Sequence, residues 1–151
     1  MKGFKKLRTH EKGQSLVEFA ISLTFILILL AGAVYFGIGL FYYVAMRDAA
    51  QEGALYGSMN PTDVGGIRTR ASQASGDGLV SDLYANGSGP LTITPSFSGA
   101  ACEGNGITVT LEYDYSLNWL PIGAFIEPFI GADHIRLRAA VTDTILTPPC
   151  P

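Results

Sequence analysis

Charge is scarce in this chain, and its absence is concentrated in one place. Asp, Glu, Lys and Arg make up 15% of the 151 residues, against roughly a quarter in an ordinary soluble domain, and none falls between Phe19 and Met46. Tryptophan occurs once, histidine twice and cysteine twice. Catalytic signatures are lacking too: there is no GxSxG elbow, HExxH, CxxC, Walker loop or GxGxxG after a strand. His10 and His134 flank the uncharged stretch, so a His-based metal or catalytic pair is excluded if that stretch crosses a membrane. Asp77-Gly78 with Asp82 lacks the twelve-residue spacing of a calcium loop and reads as polar loop. Glu112 and Asp114 share the wet face of one strand, where carboxylates face solvent. No enzyme, no cofactor and no metal are therefore expected.

Basic residues are also few, and half of them gather at one end. Lys2, Lys5, Lys6, Arg8 and Lys12 against Glu11 make +4 over residues 1–13, so the remaining residues carry −7 of the formal −3. An acidic body has no clustered Lys and Arg to meet phosphates, which argues against nucleic acid as a partner. Apolar residues at 48% and a mean hydropathy of +0.27 exclude a disordered tail.

The uncharged stretch FAISLTFILILLAGAVYFGIGLFYYVAM exceeds the roughly 20 residues a helix needs to cross a bilayer. A signal-peptide h-region runs to only about 7–15 residues. A membrane helix is expected, with membrane lipid as its surroundings. The basic cluster before it places the N-terminus in the cytoplasm and everything after about Tyr43 outside. Cys102 and Cys150 then share the exported side, where one bridge closing a loop of about 48 residues is favourable; two unconnected thiols are the alternative.

The helical pattern continues past the membrane. Ala45, Ala49, Gly53 and Gly57 recur every four residues, a ladder of small side chains that permits close approach of another element. The helix is expected to reach about Tyr56 and to stop at Gly57-Ser58-Met59-Asn60-Pro61. Pro61 to Asp82 predicts one short, glycine-weakened helix. After the turn Asn86-Gly87-Ser88-Gly89-Pro90, Leu91, Ile93 and Phe97 alternate with polar residues, and Pro95 confines that strand to an edge. Ile107 to Leu117 alternates without error, and Ile135 to Ile145 alternates with Asp143 as the exception. The fold class is α+β: a long N-terminal transmembrane helix leading to a small head whose short antiparallel sheet packs on the helix. The domain plan is a basic cytoplasmic leader at 1–13, the helix at 14–57 and an exported head at 58–151. Residues 119–131 form an apolar connection, read either as a satellite core or as a patch meeting lipid or another subunit.

Glu18 stands at the very start of the apolar run. An ionised group entering a bilayer needs a partner or must reach the headgroups. The surrounding sequence Gly13-Gln14-Ser15-Leu16-Val17-Glu18-Phe19-Ala20, preceded by a basic leader, resembles type IV prepilin-like proteins. Together with Arg47-Asp48-Ala49-Ala50-Gln51-Glu52-Gly53-Ala54-Leu55-Tyr56-Gly57 it resembles, more narrowly, the TadE family, pseudopilins of the tight-adherence (Tad/Flp) pilus system. The run Ile135 to Ile145 is similar to that family's C-terminal strand. Members commonly carry a Pro a few residues after the Glu-Phe-Ala, whereas Thr24 and its neighbours have none.

The resemblance implies a non-enzymatic minor pseudopilin in the inner membrane, cut by a prepilin peptidase between Gly13 and Gln14. It implies pilin-like subunits and an inner-membrane assembly platform as partners. The new α-amino group would pair with Glu18 of a neighbouring helix. The alternative is an uncleaved, single-pass anchor for a binding or adhesion head.

Overall fold

The computed structural model describes residues 11–74, 76, 78–116, 131 and 134–150. Residues 1–10, Asp77, Leu117 and almost all of the apolar 119–131 connection lie outside them. Helix α1 runs Glu11–Met59, α2 Val64–Gln73 and α3 Leu79–Tyr84, followed by a 3-10 turn at Ala85–Gly87; strands β1 Leu91–Phe97, β2 Gly106–Ser116 and β3 His134–Thr144 close the order. The chain divides into two compact units, Met1–Phe36 and Gly37–Pro151.

In the first unit the side chains of α1 from Leu16 to Leu30 are exposed, with Leu16, Phe19, Ile21, Phe25 and Leu29 at 59–69%, whereas Tyr35 near its end is buried. A helix apolar all round needs a nonpolar surrounding, either lipid or other helices. Among the described residues, α1 is the one helix long and apolar enough to cross a membrane. It is continuous through Thr24, whose hydroxyl donates to the Ala20 carbonyl at 2.9 Å. That bond satisfies the Thr24 hydroxyl within the apolar stretch.

The second unit is an antiparallel sheet in the order β1-β2-β3, covered by the later part of α1 and by α2. Leu91 pairs with Tyr113 and Phe97 with Ile107, while Gly106 pairs with Thr144 and Ser116 with His134. Pro95 sits on the edge strand β1, where its missing N–H costs no ladder bond to a further strand. The alternation of β2 buries Ile107, Val109 and Leu111 against Met46, Ala49, Ala50 and Ala54 of α1 and Ile67 and Ala71 of α2.

Two differences from the sequence expectation have physical causes. The helix ends at Met59, inside the expected stop Gly57–Pro61, with Gly57 still within it. Gly57 is spent on packing: a methyl added there would collide with the Ile107 side chain and come within 3.2 Å of Ile67. Ahead of Pro61, the orphan carbonyls of the last turn are met from afar, by Leu146 N–H on Ser58 O at 2.8 Å and by the Thr147 hydroxyl on Met59 O at 2.9 Å. The single weak helix expected between Pro61 and Asp82 is two helices, separated before Gly78, whose φ of +74° suits glycine and breaks the helical run. Helix α2 is started by Asp63, which accepts from Gly66 N–H at 2.8 Å and from the Tyr56 hydroxyl at 2.9 Å.

Candidate functional site

The candidate functional residues read from the sequence lie along α1. Gly13 falls in its first turn, with nothing within 4 Å of where a Cβ would stand. Gln14, Val17, Glu18, Ile21 and Ser22 recur at helical spacing and line one shallow, open groove on the surface of α1. Glu18 is exposed on that face. The helix therefore presents a carboxylate one turn inside an apolar surface, beside Gln14, with room around it for another chain.

Farther along, the segment Arg47 to Gly57 splits into two faces. Ala49, Ala50, Gly53, Ala54 and Gly57 are buried, whereas Arg47, Asp48, Gln51, Glu52 and Leu55 are exposed. At Gly53 an added methyl would lie 2.9 Å from Ala71 Cβ and 3.3 Å from Val109. The small residues of the ladder thus allow α2 and β2 to reach the helix backbone, and the polar residues between them stay outside.

The wet face of the sheet is a pair of cross-strand ion pairs. Arg136 Nε donates to Asp114 at 2.9 Å, and Arg138 Nε stands 3.4 Å from Glu112. The hydrogen bond from Arg136 holds the Asp114 carboxyl below its ordinary range. Each carboxylate thus faces a cation on a solvated surface, and among the described residues no three His, Cys, Asp or Glu side chains gather as a metal group. Cys102 and Cys150 are joined in a disulfide with Cα atoms 5.0 Å apart. The bridge lies beside backbone bonds from Glu103 N–H to Pro148 O at 2.7 Å and from Gly104 N–H to Ile145 O at 3.0 Å.

Sequence reasoning missed one cluster. Tyr42 of α1 packs against Tyr113 and Tyr115 of β2, with ring centroids 5.4 Å and 5.7 Å apart. The alternation of β2 marked both strand tyrosines as facing inward, and the only further signal was that Tyr42 follows a long apolar run.

Comparison with known proteins bears on the helix alone. No curated protein and no solved structure matches the chain. Residues 13–55 match the family model described as TadE-like protein, a span that takes in Gly13, Glu18 and the small-residue ladder through Gly53, so over that span the long helix of this chain is similar to that of TadE-like proteins.

Proposed function

We propose that this protein is a pseudopilin-type assembly component of a Tad pilus system, anchored by α1 and cut after Gly13. The observation that carries the reading is the family match over residues 13–55, and the bare apolar surface of α1 supports it. A helix with large side chains exposed on all sides, bearing Glu18 at one end, is suited to exchange lipid for the helices of other subunits. Once residues 1–13 are removed, the amine of Gln14 becomes a cation one turn from Glu18. A neighbour's amine against Glu18 would fix the register between subunits at low dielectric, where losing one partner costs roughly 3–5 kcal/mol.

The peptidase must open the first turn of α1 to reach the Gly13-Gln14 bond, because α1 begins at Glu11. Glycine eases that step, being worth about 1 kcal/mol less than alanine to a helix. The basic leader holds the bond on the cytoplasmic side, and the head faces the other compartment. The chain itself performs no chemistry in this reading; its partners are lipid, the peptidase, pilin-like subunits and the membrane platform.

Intact-mass measurement of protein extracted from membranes of a host carrying the peptidase tests the processing step. The mature species is expected to begin at Gln14. A chain retaining residues 1–13 there would favour the uncleaved anchor.

A further inference from the structure

An open crevice lined by Ile38, Tyr42, Tyr113, Tyr115 and Ser116 lies where α1 passes the end of β2. Its height relative to a bilayer follows from charge. Arg47 is the first charged residue after Glu18, and Tyr42 and Ile38 precede it by five and nine positions, about 7.5 and 13.5 Å along a helix rising 1.5 Å per residue. A headgroup layer is roughly 5–8 Å thick, half the difference between the full bilayer and its hydrocarbon core. With Arg47 at the outer limit of that layer, Tyr42 lies within it and Ile38 reaches the acyl boundary.

The surroundings agree with that depth. Leu40, Phe41, Tyr43 and Val44, on the other faces of the same turns, are exposed large apolar side chains, and paired tyrosines at the end of an apolar run are the usual interfacial anchors of a membrane helix. Because Tyr113 and Tyr115 pack on Tyr42, the end of β2 is held at the same level. Ile135, which pairs with Tyr115 across the sheet, is 43% exposed there, an apolar side chain that water would not favour.

We infer that a phospholipid of the leaflet facing the head occupies this crevice, its acyl chain along Ile38 and Tyr42, so that the end of the β2–β3 pair rests in the headgroup layer. The inference depends on residues 19–46 crossing a bilayer but not on the pilus reading. Lipid is the occupant the depth selects: a soluble ligand would have to enter the headgroup layer, and among the described residues the lining offers no charged side chain to draw one in. While the lipid is bound, the head is held against the membrane, and leaving the bilayer requires the crevice to be emptied.

The test uses the unaltered full chain with ¹³C-labelled tyrosine in phosphatidylcholine nanodiscs that carry a nitroxide either on the headgroup or near the acyl terminus. The headgroup nitroxide is expected to broaden the ring signals of Tyr42, Tyr113 and Tyr115 several-fold more than those of Tyr56 and Tyr84. Equal sharpness of Tyr113, Tyr115 and Tyr84 with both lipids would overturn the inference; that is the outcome if the head stands clear of the bilayer or a second copy seals the crevice. Tyr35, twelve residues before Arg47, distinguishes the two failures. If the acyl-terminal nitroxide leaves Tyr35 sharp, the membrane crossing itself is wrong; if Tyr35 broadens while Tyr113 and Tyr115 do not, only the lipid-filled crevice is refuted.

Discussion

Single residues on α1 divide by what stands opposite them. Gly53 faces Ala71 Cβ, which has no rotamer to turn away, so Gly53→Ala forces helix and sheet apart. Overpacking of that kind costs about 1–3 kcal/mol, more than the roughly 1 kcal/mol that alanine gains in helix propensity. We expect Gly53→Ala to lower the thermal midpoint of the head, whereas Gly39→Ala, where an added methyl meets nothing within 4 Å, leaves it unchanged. Asp114 gives a prediction in pH. The bond from Arg136 lowers its carboxyl in the folded chain, so the pair's contribution is complete above the unfolded carboxylate value of about 3.9 and is lost as pH falls from there through the lowered folded value. Both partners are exposed, so the effect is small and salt-sensitive. Asp114→Asn should depress the unfolding midpoint at roughly pH 6 but not at about pH 2, and less at about 1 M salt. An equal depression at both pH values would mean that the change disturbs the sheet rather than the ion pair.

At the scale of elements, the long first helix and the three strands were legible from their periods, whereas the glycine-weakened stretch from Pro61 to Asp82 read as one helix and is two. The uncharged run can bury its backbone only as a helix, and in β2 the residues Ile107, Val109 and Leu111 alternate with Thr108, Thr110 and Glu112. What escaped were the features set by distant partners. The last carbonyls of α1 are met by Leu146 and Thr147, nearly ninety residues away, a pairing that the local stop at Gly57–Pro61 does not encode. The tyrosine crevice escaped because a period of two assigns Tyr113 and Tyr115 to the inner face without saying whether that face meets core or an open rim. Gly13 and Glu18 stand out in the sequence for the opposite reason, as a glycine and a carboxylate placed where an apolar run begins, and their roles belong to the proposal. The disulfide ties the β1–β2 connection to the segment after β3. Closing a loop with a sequence separation of 48 constrains the unfolded chain by roughly 3–4 kcal/mol in the loop-entropy account. Replacing Cys102 and Cys150 together by serine should lower the stability of the head by about that amount, measured by denaturant titration, and peptide mapping of the parent without reductant should recover the linked pair. Freely alkylatable thiols in protein taken from an oxidising compartment would contradict the pairing.

Over the whole molecule, α1 serves two ends with different surfaces. From Ala45 onward its small residues are buried under the chain's own sheet and α2, and that half makes a head. From Leu16 to Leu30 its large residues face outward, on a surface suited to lipid or other helices. Glu18 belongs to the second half, and its expected contribution to the fold of one chain is that of a carboxylate at the favourable N-terminal dipole of the helix, about 0.3–1 kcal/mol. Its role, in the proposed account, begins when the neighbouring subunit supplies a cation.

Glu18→Gln keeps the shape of the side chain and removes its charge, which makes it the most direct test of that account. The measurement is recovery of pilus components with the tagged full-length protein, parent against variant, in a host that assembles the pilus. The account predicts that the variant inserts, is cut after Gly13 and carries a folded head with its disulfide, yet fails to recover those components or to support piliation. Recovery and piliation equal to the parent's would contradict it and return Glu18 to the part of a carboxylate resting among lipid headgroups.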